Sequence, residues 1–331
     1  MHGEEARPNM KDTCLLVGDI GGTNARFAQA ATDTPGFHSL LELQVEQFPT
    51  ADDAIGHYLE ETGAGEPDAV CLAAAGPVIG DAVNMTNNHW EISVADITAS
   101  FGTSAVRLLN DFGAIAYSIP FLAENDSVAI GPHEDFRLPE GDFNVAILGP
   151  GTGLGIAGLR RHGNTLVPVT GEGGHVGFAP ETGLQIELLK ALRGKFDRVS
   201  TERLVAGSGL PDVYEALALI RGKSVTPLTA AEIFAQSESD GVAAETVDLF
   251  FEMLGQVAGD LALTLGALDG VYIAGGIAKR YPDVLEKSRF RTAFESKGRY
   301  RPVLERIPTR LITHEQPGLL GAAYLVLELV S

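Results

Sequence analysis

The chain has 331 residues, enough for two hydrophobic cores; 45 % are apolar, and 24 Lys and Arg stand against 44 Asp and Glu, a formal charge of −20. That balance excludes nucleic-acid binding by phosphate neutralisation, and it leaves any polyphosphate ligand to local N–H groups, a metal and a few cations. The two cysteines, Cys14 and Cys71, lie in apolar runs; they read as structural thiols of a reducing compartment and supply neither a disulfide framework nor a four-Cys zinc site.

In chain order, Met1 to Asp12 is polar without an apolar stretch, so the expectation is a disordered leader and not a signal peptide. Strand-like runs follow at 14–18, 25–31, 38–45, 69–75 and 106–109. The first two enclose Gly18-Asp19-Ile20-Gly21-Gly22-Thr23-Asn24, the pattern of a hairpin closed by a glycine-rich turn. Thr50 and Asp53 form a capping box that opens a helix, and Gly63 closes it. After a turn at Gly80-Asp81 come Asn87, Asn88, His89 and Trp90. A lone Trp is usually core, although amides beside an aromatic also suit a sugar face. The run 106–109 leads into Asn110-Asp111-Phe112 and a helix that stops before Pro120. There Asp111 reads equally as a helix N-cap and as a carboxylate facing a ligand at a strand's carboxyl edge.

The strand pattern then restarts at 143–149, 154–160 and 165–169, around Gly149-Pro150-Gly151-Thr152-Gly153. Aligning Gly22-Thr23 with Gly151-Thr152 also pairs Phe27 with Ile156 and Ala28 with Ala157. Two such turns predict two related half-domains whose backbone N–H groups grip one anion, with glycine allowing close approach. Gly171 to Gly177 sets Glu172 and His175 among small residues, a loop suited to hydrogen-bonding hydroxyls. Metal binding by this pair lacks an evident third ligand. Glu202, after Ser200-Thr201, is uninformative alone. Helices are expected over 181–192, 212–220, 229–236 and about 242–268, where an apolar stripe marks a core face. Val271 to Ala274 is a short buried strand ending in Gly275-Gly276, an echo of Val70 to Ala74. Leu319 to Val330 reads as a closing helix, too short to span a bilayer. Neither GxxxxGK[ST] nor GxGxxG is present, so a P-loop enzyme and a standard Rossmann dehydrogenase are unsupported.

Nearly the whole chain resembles bacterial glucokinases of the type lacking the ROK zinc motif, within the actin/hexokinase/Hsp70-like ATPase superfamily. The resemblance rests on GDIGGTNARFA (18–28), NMTN (84–87), LLNDF (108–112), GPGTGLGIA (149–157), GEGGHVGFAP (171–180), STERLVAGSG (200–209), VYIAGGIAKRY (271–281), FRTAFESKGR (290–299) and PGLLGAA (317–323). It implies an α/β, two-domain actin-like (ribonuclease H-like) fold, each domain a mixed sheet flanked by helices, with the active site in the interdomain cleft. A small domain over 1–120 plus 316–331 and a large one over 121–315 are expected.

The implied activity is ATP-dependent phosphorylation of D-glucose at the 6-hydroxyl. Gly18, Asp19, Ile20, Gly21, Gly22, Thr23, Gly149, Gly151, Thr152 and Gly153 would hold the ATP phosphates, and Gly275 and Gly276 would lie beside the adenosine. Asp19 would orient Mg²⁺. Asn110, Asp111, Glu172, His175 and Glu202 would bind glucose, with Asp111 the catalytic base. The thiols, the polar leader and the lack of a bilayer-length apolar stretch lead to the expectation of a cytoplasmic protein with no membrane partner, the charge to no nucleic-acid partner, and the resemblance implies a homodimer. Pro150 stands where the family carries a smaller residue, and Asn88-His89 departs from the family's pattern near the sugar site. The rivals are a kinase for another hexose, a sugar-sensing regulator and an actin-like filament protein. The acidic charge and short polar leader argue against a regulator with a basic DNA-binding extension, and a filament protein leaves the 171–177 loop unexplained.

Overall fold

A computed structural model describes residues 13–85 and 87–330, so the expected leader lies outside the described residues. The chain divides into two compact units, Met1–Leu122 with Glu315–Ser331, and Ala123–His314.

In the first unit the strands are β1 (Leu15–Ile20), β2 (Asn24–Ala30), β3 (Phe37–Gln44), β4 (Ala69–Ala74), β5 (Val78–Ile79), β6 (Ala82–Asn84), β7 (Glu91–Ser93) and β8 (Val106–Asn110). Its main sheet runs β3-β2-β1-β4-β8, and β5-β6-β7 make a small separate sheet. β1 pairs antiparallel with β2 and parallel with β4, so β1 and β4 are apolar along most of their length, as the middle of a covered sheet requires. Helix α1 (Ala51–Thr62) starts at the expected capping box: the Thr50 hydroxyl accepts from Asp53 N at 3.1 Å, and Asp53 accepts from Thr50 N at 3.2 Å. Helices α2 (Val94–Phe101) and α3 (Asp111–Ser118) follow, and the chain's last helix, Pro317–Glu328, packs on α3, β1 and β4. The core here gathers Leu16, Phe27, Ile55, Tyr58, Leu72 and Trp90.

The second unit repeats this plan with β9 (Ser127–Ala129), β10 (Phe143–Pro150), β11 (Leu154–His162), β12 (Thr165–Gly171), β13 (Val271–Ile273) and β14 (Thr309–Ile312). The sheet order is β12-β11-β10-β13-β14-β9. β10 is antiparallel to β11 and parallel to β13, just as β1 is to β2 and β4. The echo of Val70–Ala74 in Val271–Ala274 therefore has a structural meaning: each is the parallel neighbour of its unit's first hairpin strand. Helices α4 (Gly183–Arg193), α5 (Leu210–Ile220), α6 (Ala230–Gln236), α7 (Gly241–Leu265), α8 (Gly276–Arg280), α9 (Pro282–Lys287), α10 (Phe290–Glu295) and α11 (Arg301–Leu304) precede α12, the closing helix already described. α7 stops at Leu265, short of the expected 268. Gly266 takes a left-handed conformation (φ 64°) there, and Leu268 turns out to solvent. No helix among the described residues is long and apolar enough to cross a membrane.

The turn alignment read from sequence holds on one strand only. Phe27 pairs with Gly18, and Ile156 pairs with Leu148. The last ladder pairs are Ile20 with Ala25 and Pro150 with Leu154, leaving residues 21–24 in one closure and 151–153 in the other. The first turn carries one residue more, so equating Phe27 with Ile156 leaves β1 displaced by one. Both cysteines are buried, and burial pushes the Cys71 thiol up to about 12, which suits inert structural thiols.

Candidate active site

The first Gly/Thr turn is held from several sides. Gly21 N donates to Asn24 O at 2.9 Å, and Val45 N donates to Thr23 O at 2.9 Å. Asn88 donates its carboxamide N–H to Gly21 O at 3.0 Å and accepts from Trp90 N at 2.8 Å. Trp90 itself is buried, its indole N–H on Phe48 O, so the aromatic belongs to the core and presents no sugar face. A Cβ on Gly22 would lie 2.9 Å from Asn87 Cβ, which is why glycine stands there.

Asp19 lies near the end of β1 opposite Arg26 on β2, whose guanidinium is tied to Glu42 at 2.7 Å. Burial pushes the Asp19 carboxyl above its ordinary range, and Arg26 opposes part of that shift. The first turn of α12 presses on it: a Cβ at Gly318 would sit 3.1 Å from Asp19 Cγ.

At the carboxyl end of β8 the sequence places two polar residues in succession, and the structure separates their jobs. Asn110, and not Asp111, caps α3: its Oδ1 accepts from Phe112 N at 3.0 Å and Gly113 N at 3.2 Å. This corrects the N-cap reading of Asp111, which is the first residue inside the helix and whose Oδ1 takes Phe112 N at 2.8 Å. Asn110 also donates one amide hydrogen to Gly76 O at 3.3 Å, and the amide carries a second.

In the second unit Gly151 N donates to Gly153 O at 2.8 Å, while Gly207 N and Ser208 N donate to Gly151 O and Thr152 O at 2.9 and 3.3 Å. This turn opens one end of a cavity of about 460 Å³, within the range of small-molecule sites. Its other walls include Ser208, Ala231, Gly276 and Arg280, with Phe234 and Tyr281 stacked at 4.0 Å. Gly275 has φ +87°, and a Cβ there would meet Pro150 O at 2.6 Å, so the end of β13 lies directly against the turn.

Glu202 is the residue that sequence alone does not single out. One carboxylate oxygen, Oε2, accepts from Leu154 N at 2.9 Å; the other lies 3.9 Å from His175 Nδ1. A Cβ on Gly153 would stand 2.5 Å from Oε2, so the glycine makes room for the carboxylate. The far side of the His175 ring faces Glu172 at 3.9 Å. At that separation the three side chains do not satisfy one another's hydrogen-bonding capacity, and Glu172 and His175 make no side-chain hydrogen bond to another described residue. The loop that carries them is clipped to Glu202's own segment, with Thr201 N on Val176 O at 2.9 Å and Phe178 N on Val199 O at 3.3 Å.

The glucokinase family model matches residues 16–329. This chain belongs to the glucokinase family. The glucokinase of Caulobacter vibrioides is 45% identical over 315 residues, covering 93% of each chain, and that of Nitrobacter hamburgensis is 42% identical over 316 residues, covering 95% of this chain and 97% of the other. The crystal structure of glucokinase from an Antarctic psychrotroph superposes with a TM-score of 0.85 at 36% identity, over 94% of this chain and 98% of that one. A ROK family glucokinase from Streptomyces griseus, in complex with glucose and AMPPNP, shares the fold at a TM-score of 0.62 and 22% identity, over 94% and 98% of the chains. Family membership thus bears out the resemblance carried by the sequence motifs, and the mixed α/β architecture agrees with it.

Proposed function

We propose that this chain transfers the γ-phosphoryl group of ATP to the 6-hydroxyl of D-glucose, within the actin-like two-domain arrangement of its superfamily. The observation that carries the reading is Glu202: one oxygen is fixed beside the Gly151–Gly153 turn and the other faces His175. A candidate phosphate turn and candidate hydroxyl ligands are thereby built on one carboxylate. In this reading the turns at Gly18 to Thr23 and Gly149 to Gly153 line the phosphates with those backbone N–H groups that the fold leaves open, the N–H groups of Gly21 and Gly151 being engaged by Asn24 O and Gly153 O. The cavity beyond Gly151, closed by Gly276 and Tyr281, takes the adenosine. Asn110, Glu172, His175 and Glu202 bond the sugar hydroxyls, and Asp111 accepts the 6-hydroxyl proton as that oxygen attacks in line.

Mg²⁺ binds through one or two carboxylates and keeps most of its waters. Asp19 fits that mode, since its burial disfavours the charged form and an adjacent cation relieves that cost. When bound, the ion neutralises phosphate charge that this acidic protein does not offset globally. The proposal extends to a cytoplasmic homodimer that acts on neither nucleic acid nor membrane, and the charge of −20 supports the first of these exclusions.

Product formation from ATP across a panel of hexoses tests the assignment. Glucose is expected to give the highest kcat/KM; turnover with none of them sinks the reading, and preference for another hexose moves the substrate. A second test uses Gly151, around which a Cβ would meet nothing within 4 Å. Gly151→Val should fold normally yet block backbone approach, raising the KM for ATP on the order of 10- to 100-fold, the worth of one lost hydrogen bond to a charged group. An unchanged KM for ATP would remove that turn from the phosphate site.

A further inference from the structure

We propose that Asn88 is a positioning residue for phosphoryl-donor binding, acting by setting which way the Gly21–Gly22 peptide faces; the proposal rests on the reading of that turn as a phosphate site. The peptide is trans, so the carbonyl of Gly21 and the N–H of Gly22 point in opposite directions. By donating to Gly21 O at 3.0 Å, the Asn88 carboxamide holds the carbonyl on its own side and turns the Gly22 N–H to the other. Among the described residues no acceptor takes the N–H of Gly22 or of Thr23, so both remain for an anion. Two successive glycines have little intrinsic preference against the flipped peptide, and an external constraint is what selects one orientation.

Asn88 is itself firmly oriented. Its Oδ1 accepts from Trp90 N at 2.8 Å, which leaves the amide nitrogen as the end that faces Gly21. Trp90 is 2 % exposed, its indole donates to Phe48 O at 3.0 Å, and Met85 N donates to its carbonyl at 3.2 Å. A buried anchor thus supports a side chain whose other end meets the turn. Asn88 thereby becomes a donor-side feature and not a sugar-side one.

The discriminating variant is Asn88→Asp. It can still accept from Trp90 N, but it cannot donate to Gly21 O, and its carboxylate favours the flipped peptide with the Gly22 N–H turned toward it. The KM for ATP and the Kd for ADP by calorimetry should rise about tenfold or more, with the KM for glucose within about twofold of wild type, because one hydrogen bond's worth of orientation is lost from the nucleotide side alone. Asn88→Ala should give a smaller rise of the same kind. His89→Ala removes the 3.1 Å contact to Phe48 O from the same loop without touching the turn, and should leave the KM for ATP unchanged. Wild-type nucleotide affinity in Asn88→Asp overturns the proposal, as does a rise in both substrates' KM that His89→Ala reproduces. Failure of the parent reading shows separately, as a wild-type protein that neither turns over ATP with glucose nor binds ADP, and it takes this proposal with it.

Discussion

Asp111→Asn is expected to lower kcat for glucose phosphorylation by roughly 10²- to 10⁴-fold, the usual worth of a general base, while glucose still binds. The substitution leaves the helix cap in place. Asn110 carries the capping of α3 through Phe112 N and Gly113 N, so the first helical turn does not depend on the neighbouring carboxylate. An amide oxygen at position 111 can go on accepting from Phe112 N, as Oδ1 does now. What changes is the capacity to take a proton. The transition state of phosphoryl transfer is loose, with most of the catalytic work in positioning and charge stabilisation, which places the loss toward the lower end of the range. Steady-state kinetics for kcat and calorimetric titration with glucose check the two halves separately. Turnover near wild type would remove Asp111 as the base; lost glucose binding would make it a sugar ligand first.

The parts of the fold that were legible in the sequence are those where local chemistry and tertiary role coincide. Both hairpins announce themselves because a glycine-rich turn interrupts two apolar runs, and the buried strand before Gly275-Gly276 because the apolar run Val271 to Ala274 stops at two glycines. Illegible parts have their reasons. β5, β6 and β7 are two or three residues each, too short to show alternation, and β14 is four residues supported by parallel β13 and by β9 from far away in sequence. The stripe in α7 ran past its end because Leu268 continues the spacing, whereas the left-handed Gly266 decides the stop. Among site residues, Asn110 and Asp111 could be picked out but not told apart, since capping is settled by φ and ψ and not by residue type. Asn88 read from sequence as an amide beside an aromatic, suited to a sugar face; its partner is the carbonyl of Gly21, 67 positions earlier.

Glu202 is the extreme of that last kind, since its main contact is a backbone N–H 48 positions away, and its replacement should have the second large effect. Glu202→Ala is expected to raise the KM for glucose on the order of 10- to 100-fold, from the roughly 1.5–3 kcal/mol of a hydrogen bond to a charged group. It should also lower the Tm. Leu154 N–H loses its acceptor in a residue only 5 % exposed, and an unsatisfied buried donor costs about 1–3 kcal/mol. Glu202→Gln separates these losses. Its amide oxygen can still accept from Leu154 N, so stability should return toward wild type, whereas the neutral group remains a weaker partner for sugar hydroxyls and for His175. A glucose KM that stays high in Gln with the Tm restored assigns the carboxylate to the sugar. If the glucose KM is wild type in both variants while that for ATP rises in Ala, Glu202 is a brace for the Gly151–Gly153 turn alone. The coupling between phosphate turn and sugar loop proposed here would then have to be given up.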